Sequence, residues 1–136
     1  MSFEKLLEFR NNCEGYIKYL GMKILTITDG YAEGEIEITG EHLNPFGSVH
    51  GGCIFSLIDT TGGAAAMSRG NITTTSSCNI NYLNAAIDTK KIKAIAREVK
   101  GGKTLLVYDV EVFSEEGELL AKASCTYFRL QEHNYL

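Results

Sequence analysis

Residues 44–69 read Asn44-Pro-Phe-Gly-Ser-Val-His50-Gly51-Gly52-Cys-Ile-Phe-Ser-Leu-Ile-Asp59-Thr-Thr-Gly62-Gly63-Ala-Ala-Ala-Met67-Ser-Arg69, a polar, glycine-rich loop running into an apolar segment with one carboxylate. From Gly51 to Arg69 the chain is apolar on nearly every side, which predicts a helix that the rest of the fold must surround. Each glycine inside a helix costs roughly 1 kcal/mol relative to alanine. The Gly62-Gly63 pair therefore predicts a very close approach by a sheet or a second helix. The most apolar run, Cys53 to Met67, is shorter than the roughly 20 residues of a membrane-spanning helix and reads as a core helix. Gly70-Asn71 ends it.

The segments on either side supply what surrounds this helix. Upstream, Phe3, Leu6, Leu7, Phe9 and Cys13 have the spacing of a short amphipathic helix over residues 2–13, which Ser2 can cap. Residues 22–28 and 31–39 flank Asp29-Gly30, and the second run alternates through Glu35, Ile36, Glu37 and Ile38, so the two predict a hairpin. Downstream, runs 73–83, 91–99, 105–113 and 119–130 alternate, with turn signals at 85–89, Gly101-Gly102 and Glu115-Glu116-Gly117. Four consecutive strands joined by short turns predict an antiparallel sheet, and the apolar helix is its only adequate cover. The expected architecture is α+β, a curved antiparallel sheet wrapped around one central helix, in a single domain spanning residues 1–136.

Composition narrows the function. Hydrophobic residues at 44% and charged residues at 22% exclude a disordered chain. The N-terminus has early acids and no apolar stretch before a small-residue cleavage site, so it does not read as a secretory signal, and the expected location is the cytoplasm. Cys13, Cys53, Cys78 and Cys125 form no C-x-x-C pair and sit in apolar patterns, as buried free thiols do. With His42, His50 and His133 also scattered, no metal site is expected. The net charge of -4 argues against nucleic acid, yet six cations against Glu98 leave residues 90–103 at +5 and the remainder at -9. This basic segment is either a site for a small polyanion or a lysine-rich solvated strand edge.

The chemistry concentrates around the helix entrance. First-turn NH groups at Gly51 or Gly52 have no intrahelical partner and lie at the positive end of the dipole, where a developing anion can be held. Asp59 follows two turns on, a carboxylate in an apolar helix that must be paired, hydrogen-bonded or open to a ligand. Acyl transfer needs donors for an oxyanion and a base or nucleophile near the carbonyl carbon. Gly51 offers the backbone NH, while Asn44 or His50 can polarise the same oxygen or orient its neighbours. Gly101-Gly102-Lys103-Thr104 looks like the tail of a P-loop, but Arg97 stands where the first glycine belongs and a strand follows, so nucleotide hydrolysis is rejected. No G-x-S-x-G or G-x-G-x-x-G motif is present in a supporting context. In the strand after the helix, alternation puts Thr75, Ser77, Asn79 and Asn81 on one face and Ser76, Cys78, Ile80 and Tyr82 on the other. That polar row either lines a pocket or faces water.

Asn44-x-x-Gly47-x-x-His50-Gly51-Gly52 followed by Asp59 resembles the hotdog-fold acyl-CoA thioesterases of the phenylacetate-degradation (PaaI-like) group. Gly21-Met22, Asn79-Ile80-Asn81-Tyr82-Leu83 and Leu120-Ala121-Lys122-Ala123 extend the match over roughly residues 20–130. The resemblance implies hydrolysis of a small, medium-chain or aromatic acyl-CoA, with coenzyme A belonging to the substrate and no separate cofactor. It implies Gly51 NH, helped by Asn44, as the carbonyl-polarising group, Asp59 as general base or nucleophile, His50 as a loop or thioester contact, and Thr75 as a water-positioning residue. Gly52, Arg97, Lys100, Gly101, Gly102 and Lys103 become candidate substrate contacts, the last five for the phosphates of coenzyme A. It further implies a homodimer with active sites at the subunit interface, often a dimer of dimers, with neither a nucleic-acid nor a membrane partner. A non-catalytic acyl-CoA binding module and a hotdog enoyl-CoA hydratase or dehydratase are the alternatives.

Overall fold

A computed structural model describes residues 2–130. Helix α1 (Phe3–Asn11) and the short α2 (Tyr16–Leu20) precede the hairpin β1 (Met22–Thr28) and β2 (Tyr31–Glu37). A 3₁₀ turn (Gly40–His42) and a loop lead into α3 (Gly51–Met67), followed by β3 (Thr73–Tyr82), β4 (Lys91–Gly101), β5 (Leu105–Ser114) and β6 (Leu119–Arg129). All six strands form one antiparallel sheet in the order β1-β2-β4-β5-β6-β3.

The α+β architecture is the expected one, and the differences lie within its elements and their pairing. The N-terminal helix is shorter than 2–13, and α2, only five residues long, lies beyond it. Ser2 does cap α1, accepting from the Lys5 N–H at 3.3 Å. Helix α3 stops at Met67 instead of Arg69, because the N–H groups of Ser68, Arg69 and Gly70 tighten onto carbonyls three residues back. Short turns also suggested that successive strands pair. Strand β3 instead pairs with β6, and residues 83–90 cross the sheet to β4, held by Val49 N–H on the Ala86 carbonyl.

The Gly62-Gly63 pair in α3 answers to one tyrosine. A Cβ on Gly62 would lie 2.2 Å from the Tyr127 hydroxyl oxygen, and one on Gly63 would touch the same ring at 3.7 Å. From β6, the Tyr127 hydroxyl donates to the Asp59 carbonyl (3.0 Å), and from β5 the Tyr108 hydroxyl donates to the Ala65 carbonyl (3.2 Å). The two rings meet edge to face at 6.1 Å. Small residues pave the sheet beneath the helix: Ala32, Ala94, Ala96, Ala121 and Ala123 are buried. On β2, a Cβ on Gly34 would strike the Thr61 hydroxyl at 2.5 Å. Arg10 straps α1 to the same helix, its guanidinium donating to the Thr60 carbonyl at 3.0 Å.

Contrary to the expectation of complete enclosure, α3 keeps an open stripe. Gly52 and Phe55 are exposed and Ser56 and Asp59 half-buried, while Leu57, Ile58 and Thr60–Ala66 are buried. The close seating at Gly62 predicts that Gly62→Ala destabilises by about 1–3 kcal/mol through overpacking, overriding its better helix propensity. Adding Tyr127→Phe, which removes the clashing oxygen, should make the double variant more stable than the sum of the two single losses. Urea unfolding of the four proteins checks this, and a stabilised Gly62→Ala would show that the approach is not tight.

Candidate active site at the N-terminus of helix α3

Asn44 builds the loop that delivers the chain to α3. Its side-chain oxygen accepts from the Phe46 and Ser48 N–H groups (2.9 and 3.2 Å), and its amide nitrogen donates to the Ser48 hydroxyl (2.7 Å). Gly47, at φ +85°, closes the turn by donating to the Asn44 carbonyl. In this chain the Asn44 amide shapes the loop, which fits the expected alternative of orienting its neighbours, and one of its two N–H hydrogens goes to Ser48.

His50 is the N-cap. Its backbone (φ -58°, ψ 135°) is extended, and its Nδ1 accepts from the Gly52 N–H at 2.8 Å, so in the neutral ring Nε2 carries the proton. The Cys53 and Ile54 N–H groups both go to the His50 carbonyl. Of the four first-turn donors, only the Gly51 N–H makes no hydrogen bond among the described residues. The N–H of Gly52, a residue expected to contact substrate, is taken by the His50 ring.

The neighbouring wall was not anticipated. Tyr82, at the end of β3, lays its ring on Gly51, where a Cβ would sit 3.3 Å from it, and donates its hydroxyl to the Gly51 carbonyl at 2.8 Å. Beside them lies a cavity of about 300 Å³ lined by Val49, Ile54, Tyr82, Leu83 and Ala86 among others. A tyrosine on the less polar face of a strand reads as core from sequence, so its signal was present but undirected.

Two turns along α3, Asp59 accepts a hydrogen bond from the Thr75 hydroxyl at 2.7 Å. A bulge between Thr75 and Ser77 makes this possible. One extra residue shifts the alternation, so Thr75 joins Cys78, Ile80 and Tyr82 on the helix-facing side, and Ser77, Asn79 and Asn81 are exposed. The strict alternation expected for this strand is thus overturned at the residue that matters most. Cys78 lies opposite Cys125 on β6, close to Asp59. A hydrogen bond from Cys125 holds the Cys78 thiol below its ordinary range, while that same bond and burial push Cys125 up. Burial lowers the Arg10 guanidinium, partly offset by nearby Cys13, Tyr127 and Asp59.

The basic segment is divided by its neighbours. Lys91 and Lys93 face Glu35 and Glu33 on β2 (3.6 and 2.8 Å), and Arg97 lies over the Tyr31 ring at 5.1 Å. Lys100 and Lys103 are exposed. The expected nest at Gly101-Gly102 is not free for an anion: the Gly102 N–H donates to the Leu105 carbonyl, and the Glu98 carboxylate abuts Gly101. Glu98 binds Arg69 (2.5 Å), just past the C-terminal end of α3. The hairpin therefore sits at the end of the helix opposite Gly51, roughly 25 Å away along the axis.

Among the described residues no three His, Cys, Asp or Glu side chains are grouped to hold a metal ion, and no helix is long and apolar enough to cross a membrane. All four cysteines are free, and His133 lies outside the described residues. His42 is a framework residue, its Nδ1 accepting from the Thr39 N–H and its Nε2 meeting the Leu20 carbonyl at 2.8 Å.

Residues 46–121 match the model of the thioesterase superfamily. An Archaeoglobus fulgidus protein described as a putative esterase is 33% identical over 95% of this chain and 84% of its own length. The acyl-coenzyme A thioesterase PaaI of Escherichia coli K12 is 33% identical over 76% of this chain and 74% of its own. The solved structure of E. coli PaaI superposes with a TM-score of 0.81, at 30% identity, covering 85% of this chain and 83% of that one. A hypothetical thioesterase from Streptococcus pneumoniae, solved with coenzyme A, also gives 0.81, at 27% identity over 98% of this chain and 100% of that one. The matched segment runs from the loop before α3 into β6, and with it the chain belongs to the thioesterase superfamily as a PaaI-like hotdog protein.

Proposed function

We propose that this protein hydrolyses acyl-coenzyme A thioesters at sites made by two copies of the chain. The observation that carries this reading is the separation between the Gly51 N–H, the one first-turn donor without a partner among the described residues, and the Asp59–Thr75 pair. Eight residues of helix put them about 12 Å apart along the axis. One thioester carbonyl cannot touch both within a chain, since its oxygen must lie about 3 Å from the donor and its carbon about 3–3.5 Å from the attacking group. A second copy related by a two-fold axis resolves this by setting its Asp59 against the first copy's Gly51. Two surfaces support such pairing: β3 is a ten-residue edge strand with no strand on its far side among the described residues, and Gly52, Phe55, Ser56 and Asp59 form the more open stripe of α3.

In this site the thioester oxygen accepts from the Gly51 N–H at the positive end of α3, which stabilises the oxyanion as the carbonyl carbon becomes tetrahedral. Asp59 of the partner subunit either takes a proton from water or attacks the carbon itself, and the thiol of coenzyme A leaves. Thr75 donates to one carboxylate oxygen and leaves the other to act. Arg97, Lys100 and Lys103 are too far from Gly51 to serve the same chain's thioester. From Asp59 the C-terminal end of α3 is only about 12 Å away, a span within reach of a pantetheine arm. The phosphates of coenzyme A are therefore assigned to the basic hairpin of the chain that supplies Asp59. The four thiols, none in a disulfide, suit the reducing cytoplasm, and a dimer of dimers is the assembly the family resemblance favours.

Thiol release from acetyl, medium-chain, phenylacetyl and benzoyl thioesters tests the reading. Asp59→Asn should lower kcat by about 10²–10⁴, the range for losing a general base, and Thr75→Ala by roughly tenfold, with unfolding curves unchanged. A CoA ester that binds and returns intact from the wild-type protein would reject hydrolysis in favour of a binding module. Replacing Arg97, Lys100 and Lys103 with alanine should raise KM, leave kcat within about twofold and flatten its salt dependence. An unchanged KM would remove the hairpin from the site.

A further inference from the structure

The peptide unit between Gly51 and Gly52 is gripped at both of its polar atoms. Its carbonyl oxygen accepts from the Tyr82 hydroxyl at 2.8 Å, and its N–H donates to His50 Nδ1 at 2.8 Å. A glycine pair at a helix start is the most permissive backbone a chain can offer, and left alone it would sample many orientations. The adjoining peptide, between His50 and Gly51, carries the one first-turn N–H that has no partner among the described residues. That adjoining peptide is itself held at its carbonyl by the Cys53 and Ile54 N–H groups, so with both planes anchored rotation about Gly51 is restricted and its N–H keeps one direction.

We infer that Tyr82 is a positioning residue that, with His50, clamps the Gly51–Gly52 peptide so that the Gly51 N–H is held ready for the substrate oxygen. This rests on the thioesterase reading above. Preorganised donors stabilise a developing oxyanion because no reorientation is needed as charge appears. Tyrosine meets two demands here. Its ring packs on Gly51 at a distance where a Cβ would already be tight, and its hydroxyl reaches past the glycine to the carbonyl. The side chain is 52% exposed, more than core packing alone requires. Burial raises its phenol above the ordinary range, which keeps the hydroxyl a donor. Strand β3 carries both devices, with Tyr82 at its end gripping the donor peptide and Thr75 near its start bound to Asp59.

Tyr82→Phe isolates the hydroxyl, because the ring stays on Gly51. Loss of one net hydrogen bond corresponds to roughly five- to tenfold in rate. The expected result is a kcat lower by that factor with octanoyl- or phenylacetyl-CoA, KM within about twofold and an unchanged thermal midpoint. Amide hydrogen exchange at Gly52, read in ¹⁵N-labelled protein, should quicken by roughly tenfold without global loss of protection. An unchanged kcat overturns the inference, and so does a lower kcat with unaltered Gly52 exchange, which would place the hydroxyl's action elsewhere. The exchange readout needs no turnover. If the wild-type protein releases no thiol, the thioesterase reading fails, while unchanged Gly52 exchange in Tyr82→Phe separately rejects the clamp.

Discussion

Helix α3 rests on its sheet at a separation set by two glycines and two tyrosines. Gly62 leaves room for the Tyr127 ring, and the hydroxyls of Tyr127 and Tyr108 hook the carbonyls of Asp59 and Ala65 from below. Those hooks bind helix carbonyls that already serve the helix, so they cost little to make and fix the roll of α3 about its axis. Once the roll is fixed, the side facing away from the sheet is fixed too. Gly52, Phe55, Ser56 and Asp59 occupy that side because Leu57, Ile58 and the Thr60–Ala66 run occupy the other. The acid is therefore presented outward by the same contacts that bury its neighbours.

The same strand that pairs with Tyr127's strand also supplies the site. Strand β3 lies beside β6 at the sheet edge, and its bulge turns Thr75 toward Asp59 while Tyr82, at the far end, reaches Gly51. The first residue and the middle of one helix are thus held by one strand. Movement of α3 along its axis would strain both contacts at once. This makes the spacing between the Gly51 N–H and the Asp59 carboxylate a rigid property of the fold.

Much of this was legible in the sequence wherever the cause is local. Gly62-Gly63 in an apolar helix announced the close approach, Ser2 announced the cap, and Asp29-Gly30 announced the first hairpin. What was not legible depends on partners distant in the chain. Ser76 falls in a bulge that only the pairing of β3 with β6 exposes, and it reverses the face of Thr75. Lys91 and Lys93 look like free charge until β2 brings Glu33 and Glu35 beside them. Asn44, read as polarising the carbonyl or orienting its neighbours, pegs its own loop, and the contact of Tyr82 with Gly51 joins residues 31 apart, which its place on the less polar face of β3 did not announce.

The central claim is that one chain supplies the oxyanion donor and another the acid. Gly51→Pro removes the donor: proline suits the first helical position, His50 already has the extended backbone that must precede it, and the half-exposed Tyr82 ring, 3.3 Å from a Cβ at Gly51, has to shift to admit it. Mixing inactive Gly51→Pro chains with inactive Asp59→Asn chains in equal amounts, with subunit exchange confirmed by native mass spectrometry, makes the direct measurement. A shared site leaves one intact site in each mixed dimer, so activity should return to about a quarter of the wild-type level. If mixed dimers form and activity stays at that of the separate variants, each site lies within a single chain and the account is contradicted.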